Sequence, residues 1–405
     1  MKNSSKLTFK ERRWRHQLSS LITTSSQSIT VNGASRRNEI DVDYIDIDSL
    51  VEMITGFSDG ANVGIVCSTV RNASSLHEYL AEYVDADKLT LVHSRFVAVD
   101  RVHNDAELLK MLGKHTSGSD GELRVVVGTQ IIEQSLDIDF DVMVSEIAPV
   151  DALLQRMGRL HRHSHKTRPD YCKQPRFLIL EPDDEIIKSQ GGEMVYQPYP
   201  LRQSEHIMKS LNKIVLPDDI FSLVEQSRVV HMAEWDDLKA GYLNAAQARK
   251  SSAKPYLVAA PHPLRDESIH GWLDGAISGN EEFKGSAKVR DGISGPTIIA
   301  VFEDDDGIWV PVYNKRGERE KRFISNEAPI SWNEAKDILG SSLSLPIYMN
   351  SHIDVLETEA SLLPMHDAWQ QSSLLKGEVS LLFSYGEAEI GDKVLSYEQH
   401  SGLKG

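Results

Sequence analysis

The stretch Val125–His163, VVVGTQIIEQSLDIDFDVMVSEIAPVDALLQRMGRLHRH, constrains this chain more than any other. Three consecutive valines run into Gly128, and after a polar interval comes a second apolar run, Val142-Met143-Val144. Short apolar runs without alternation read as strands buried on both faces, the form taken by strands of a parallel sheet covered by helices. Pro149-Val150-Asp151 then carries a helix start. The same rhythm extends to either side. Val63–Cys67, Leu89–Val92, Arg124–Val127 and Arg176–Leu180 read as strands, with helices over Asn72–Val84 and Asp100–Leu112. Strand, helix, strand in this order implies right-handed crossovers and an α/β fold with a parallel sheet.

The helix that opens at Pro149 leads into Gln155-Arg156-x-Gly158-Arg159-x-x-Arg162. Arginines three apart fall near one face of a helix. Such a cluster is ordinarily a solvated face. Here it follows a buried strand, so the guanidinium groups project from a sheet edge, where they suit a polyphosphate whose charge rises during hydrolysis. The chain as a whole carries a net charge of −16, which argues against indiscriminate coating of nucleic acid. The basic residues are clustered: six Lys/Arg against one acid over Lys2–Arg15, and again six against one over Arg156–Lys173. A local phosphate-contacting face therefore remains open.

Thr129, Ser135 and Asp137, followed by Q-x-x-G-R-x-x-R, resemble motifs V and VI of superfamily-two helicases. The wording T-Q-I-I-E-Q-S-L-D-I-D-F-D and then L-L-Q-R-M-G-R-L-H-R-H is most similar to the CRISPR-associated helicase–nuclease of type I systems, and to its C-terminal half. The resemblance implies a second RecA-like motor domain. It implies that Arg159, Arg162 and Gln155 act on ATP across a cleft, with Asp137, Ser135 and Arg156 contributing to the nucleotide site.

Ligand sites in parallel sheets lie at the carboxyl ends of the strands. That rule selects Ser68-Thr69, His93-Ser94-Arg95-Phe96 and Gly128-Thr129. In the family, the loops at these places hold single-stranded DNA by its phosphates, and H-S-R-F matches a family motif literally. Ser68, Thr69, His93, Ser94, Arg95 and Thr129 are the expected nucleic-acid contacts. Helix capping is the competing reading for Ser68 and Thr69. Asp139 and Asp141 alternate with Asp137, but read as capping or solvating the next strand. His161, His163 and His165 lack a thiolate or carboxylate neighbour in sequence, so no metal site is expected from them.

What the sequence lacks bears on function as well. No G-x-x-x-x-G-K-[ST] and no DExH acid pair occurs, and His366-Asp367 reads as a chance pair rather than a nuclease centre. ATP with Mg2+ would be held mainly by a first motor domain outside this chain. The expected partners are single-stranded DNA, a chain or segment bearing the P-loop and the HD nuclease, and the CRISPR surveillance complex. Translocation would run 3′-to-5′, as in the family, and the chain alone would hydrolyse little or no ATP. The alternative is a non-catalytic module that binds DNA or the CRISPR complex through a RecA-like fold.

No apolar run approaches the roughly 20 residues that span a bilayer, and the basic N-terminus has no apolar core, so a cytoplasmic location is expected. Two cysteines supply neither a disulfide framework nor a zinc spacing. The chain divides, on this reading, into a basic N-terminal segment over 1–40, a second RecA-like domain over 41–182, a helical linker over 183–290, and a small, mixed, β-rich accessory domain over 291–405. In the last of these, Tyr385-Gly386 reads as a hairpin turn.

Overall fold

The computed structural model describes residues 20–22, 28–30, 37–118, 120–133, 137–164, 166–183, 185–188, 190–253 and 295–405. Most of the basic N-terminal segment, Ser135, His165 and the Pro-rich connector after Lys254 lie outside the described residues. Strands β1 (Ser20–Ile22) and β2 (Ser28–Thr30) pair antiparallel by themselves. The chain continues through β3 (Asn38–Ile45), α1 (Ile47–Thr55), β4 (Ala61–Val66), α2 (Val70–Leu80), β5 (Leu89–Val92), α3 (Ala98–Leu112), β6 (Leu123–Gly128), β7 (Val142–Ser145), α4 (Val150–Met157) and β8 (Arg176–Leu180). Next come α5 (Gln190–Val195), α6 (Pro198–Lys209), β9 (Lys213–Leu216), α7 (Ile220–Val229) and α8 (Asp236–Ala253).

Among the described residues these strands form a seven-stranded sheet in the order β5-β6-β4-β7-β8-β3-β9. Every pair in it is parallel except β3 with β9. Side chains alternate between the two faces of a strand. Val125, Val127, Val142, Val144 and Leu178 therefore meet α1 and α2 on one face, while Val126, Met143 and Phe177 meet α3, α4, α6 and α7 on the other. A strand apolar on both sides is what such a sandwich requires, and all of β4 and β7 is buried. The sheet goes further than sequence reading placed it. β9 comes from the region read as a helical linker, and it closes the edge against β3.

The second sheet is built from β10 (Thr297–Asp304), β11 (Gly307–Tyr313), β12 (Arg319–Phe323), β13 (Ser342–Ser344), β14 (Ser380–Ser384), β15 (Glu387–Ile390), β16 (Lys393–Glu398) and β17 (Gly402–Lys404). Helices α9 (Trp332–Leu339), α10 (Ile353–Ser361) and α11 (His366–Gln370) accompany it. Its order is β12-β11-β10-β14-β15-β16-β17, with β13 against β10. β14 and β15 join through Tyr385 and Gly386, both left-handed at φ 50° and 86°, the backbone that a tight hairpin demands. Val97 of the first sheet's domain is buried in the core of this second one.

One buried ion cluster corrects the sequence reading of the alternating acids. Asp139 and Asp141 do not solvate a strand end; both carboxylates are wholly buried. Arg168 holds them together. Its Nη2 lies 2.8 Å from each oxygen of Asp139 and its Nη1 bonds Asp141, while the His163 and Asn62 amides complete the shell at 2.9 and 2.8 Å. Burial raises the Asp141 pKa against the pull of the Asn62 amide and Arg168. Removing one partner of a buried cluster strands the others. Arg168→Ala is expected to destabilise the domain by about 3–5 kcal/mol, read as a shift in the urea midpoint. The exposed pair Lys88–Asp85, cut in the same way, should move it by about 1 kcal/mol or less. An equal effect of the two substitutions would contradict this account.

Candidate functional site: the arginine motif and the strand-end loops

Gly128 closes β6 against β5 so tightly that a Cβ there would stand 2.5 Å from Val92 Cγ2 and 2.6 Å from Val92 O. Beyond it the chain passes through β7 into α4. That helix stops at Met157, with Gly158 as its cap. Arg159 and Arg162 therefore do not share a helical face with Arg156, as their spacing implies. The Phe140 amide donates to Arg159 O at 3.0 Å and the His161 amide to Phe140 O at 3.1 Å, and this parallel bridge draws the chain out of the helix. His161 takes a left-handed φ of 47° at that exit.

The motif is split by depth. Arg156 is 0% exposed, although sequence reading placed it at the nucleotide. Its Nε donates to Glu133 Oε1 at 2.8 Å, Nη1 to Ser145 Oγ at 2.6 Å and Glu146 O at 3.1 Å, and Nη2 to Tyr196 Oη at 3.1 Å. Arg159 is 8% exposed and gives Nη2 to Glu133 O at 2.7 Å. Burial and then the Arg162 charge pull the Arg159 pKa down, against Asp137 and Glu133. Gln155 and Arg162 are exposed. Arg162 Nε bonds Asp137 Oδ1 at 2.6 Å. Burial would raise the Asp137 carboxyl, but the Arg162 hydrogen bond and the charges of Arg162, His163 and Arg159 outweigh it and hold the pKa below the usual value. Asp137 and Arg162 are thus brought together, while Ser135 lies outside the described residues.

The strand-end residues divide likewise. Thr69 caps α2 by accepting the Asn72 amide at 3.1 Å. Ser68, His93 and Thr129 are 1%, 1% and 4% exposed, so the side chains expected at nucleic acid are turned inward. Ser94 is exposed and Arg95 half-buried. His93 Nδ1 accepts the Arg95 amide at 3.1 Å, so the ring proton sits on Nε2 and is donated to Ser401 O at 3.1 Å. The ring also stacks on Phe96 at 4.6 Å. The Leu403 amide donates to Arg95 O at 2.8 Å and Tyr397 Oη accepts the Val97 amide at 3.1 Å. Gly402, at φ 66°, comes so near that a Cβ would lie 2.6 Å from Arg95 O.

Next to this loop Asp100 is fully buried, and it receives Tyr397 Oη at 2.7 Å, Tyr313 Oη at 3.0 Å and Arg319 Nε at 3.0 Å. The second sheet thus grips the H-S-R-F loop from its own last strand. Sequence reading carried no residue of that domain to the site. Tyr313, Arg319 and Tyr397 lie 213 or more positions from Asp100, and no local pattern connects them. Among the described residues no group of three or more His, Cys, Asp or Glu is placed to hold a metal, and no helix is long and apolar enough to cross a membrane.

The profile described as "CRISPR-associated nuclease/helicase Cas3, C-terminal" matches residues 59–165, which contain all of the arginine motif, and "Cas3 C-terminal domain" matches residues 290–403. The chain belongs to the Cas3 family. It corresponds to the C-terminal half. A Cas3 nuclease/helicase of Streptococcus thermophilus is 32% identical over 86% of this chain and 38% of its own length. The Cas3 of Thermus thermophilus is 24% identical over 85% of this chain and 42% of its length. The chain therefore spans about two fifths of the Cas3 relatives it matches. Its fold is shared with T. fusca Cas3 solved with AMPPNP, at a TM-score of 0.75 and 22% identity over 92% of this chain and 43% of that one. T. fusca Cas3 with ATP gives a TM-score of 0.73.

The buried His93 joins the domain of the first sheet to the C-terminal sheet through Ser401 O, and its burial makes that join sensitive to pH. Burial holds its pKa down to about 3, against the Ser401 hydrogen bond, with the charges of Arg95 and His77 also lowering it. An unfolded histidine titrates near about 6.5. Stability is therefore fully present above that value, and the folding equilibrium constant falls by up to roughly tenfold per pH unit as pH drops below it, until the folded pKa is reached. Urea midpoints of wild type and His93→Gln should be parallel above pH ~7 and converge on acidification. Curves that stay parallel to pH ~5 would mean that His93 is not the group responsible.

Proposed function

We propose that this chain is one half of an ATP-driven, single-stranded DNA motor of CRISPR type I interference. It works with a chain or segment that carries the P-loop, the DExH acids and the HD nuclease, and it is recruited by the CRISPR surveillance complex. Arg159, Arg162 and Gln155 reach across the cleft to ATP-Mg2+ gripped by that partner, and Asp137 and Ser135 flank them. Arg156 anchors the motif from below. Ser94 and Arg95 meet the DNA phosphates, and Ser68, Thr69, His93 and Thr129 hold the loops that present them. The motor moves 3′-to-5′.

The observation that carries this reading is the split in depth along the arginine motif. Arg162 is held at the surface by the Asp137 carboxylate, with side chains 33% and 47% exposed, and by a long 3.4 Å bond to Gly158 O. An exposed pair of this kind contributes about 0–1 kcal/mol, so a phosphate can displace Asp137 at little cost. Burial and the Arg162 charge both disfavour the charged Arg159 guanidinium, and a polyphosphate beside it would favour that charge. The residues present fit the outer wall of a nucleotide site. They do not supply the amide cradle or the magnesium acids, for the sequence has neither motif.

The test is ATP hydrolysis with and without poly(dT), by the chain alone and mixed with the P-loop-bearing N-terminal part of a Cas3. Turnover is expected only in the mixture, and Arg159→Ala should lower it by about 10³. Hydrolysis by the chain alone, or an Arg159→Ala mixture as active as wild type, would sink the proposal. Poly(dT) binding without turnover in any mixture would move the assignment to a recognition module.

A further inference from the structure

Tyr196 lies between the two regions matched by the Cas3 profiles, which end at residue 165 and resume at 290, and no motif of the sequence includes it. It follows α5, with its amide bonded to Gly192 O at 2.8 Å. Gly192 in turn lies over the end of β4, where a Cβ on it would stand 3.8 Å from Ser68 Oγ. The same strap is fastened from below, since Asn72 Nδ2 donates to Lys188 O at 3.3 Å and to the buried Glu146 at 2.9 Å.

The Tyr196 hydroxyl stands where two networks meet. It accepts Arg156 Nη2 at 3.1 Å, and Gln130 Nε2 approaches it at 3.4 Å while donating to Ser68 O at 2.9 Å. Arg156 continues to Glu133 by Nε at 2.8 Å, and the Glu133 carbonyl holds Arg159 Nη2 at 2.7 Å. An unbroken line of hydrogen bonds thus runs from the end of β4, through Gln130, Tyr196, Arg156 and Glu133, to Arg159. Of the Arg156 acceptors named above, Tyr196 is the one drawn from outside residues 133–156. It is half-buried on the wall of a cavity of about 730 Å³ that it shares with Gln130, Glu133 and Gln155.

A buried guanidinium has few orientations in which all its donors are met, so a shift of one acceptor reorients the rest. We propose that Tyr196 is a positioning residue that couples the strand ends facing single-stranded DNA to the arginine motif. Occupancy at the Ser68 loop then biases Arg159. The proposal rests on the function given above, because it takes DNA as the ligand of that loop. Coupling of this kind is a free energy shared by two sites and needs a demonstrated response at one when the other is filled.

The experiment is amide hydrogen exchange of the full chain, with and without saturating poly(dT), in wild type and Tyr196→Phe, alongside poly(dT) affinity. In wild type, poly(dT) should slow exchange over residues 153–162 by roughly fivefold or more, the lower end of ordinary coupling. Tyr196→Phe keeps the ring, and should bind poly(dT) with the same Kd while losing that remote slowing. Gln130→Leu cuts the line one link earlier and should act alike, with the double variant no worse than either single one. Equal slowing in wild type and in both variants overturns the coupling. A wild type that binds poly(dT) without slowing at 153–162 overturns it too. A wild type that binds no poly(dT) overturns the function beneath it, and is told apart by the affinity measurement.

Discussion

The rest of this fold depends on the burial of one guanidinium. Arg156 has no exposed surface, and a charge removed from water at a cost of several kcal/mol is tolerated only when its hydrogen bonds are met. Meeting them gathers Glu133 from the loop after β6, Ser145 and Glu146 from the end of β7, and Tyr196 from beyond β8. Segments that share no strand pairing are thereby held in one arrangement. The arginines that follow are aimed from a fixed base, and Arg162 reaches the surface while Arg156 does not.

A second buried charge does the corresponding work between the sheets. Asp100 at the start of α3 is satisfied by Tyr313, Arg319 and Tyr397, all from the C-terminal domain. Around it, main-chain bonds from Leu403 to Arg95 and from Val99 to Gly340 leave the H-S-R-F loop little freedom. The C-terminal domain is thus a structural part of a loop that the first sheet's domain carries. That loop follows the carboxyl end of β5, the place where ligand sites of parallel sheets lie.

Much of the first sheet was legible because its signal is local. β5, β7 and β8 have the bounds that their apolar runs suggest, and the Tyr385-Gly386 turn follows from two residues tolerant of left-handed backbone. β9 was not legible. Its four residues, KIVL, lie between helices, and their pairing with β3 spans about 175 positions of sequence. The arginine spacing suggested one helical face, yet the pairing of Phe140 with Leu160 ends the helix early. Asp139 and Asp141 looked solvated because Arg168, the partner that allows them to be buried, lies 27 to 29 positions away.

The sequence by itself determined the α/β class, the parallel core and the residue types of the arginine motif, since these follow from apolar periodicity and side-chain chemistry. Only the tertiary structure decided which residues of that motif reach the surface. Depth is set by distant partners: Glu133 and Tyr196 draw Arg156 inward, Ser401 draws His93 inward, and Arg162 stays out on one carboxylate. A charged side chain goes where its hydrogen bonds can be met, and that is a property of the assembled fold rather than of neighbours along the chain.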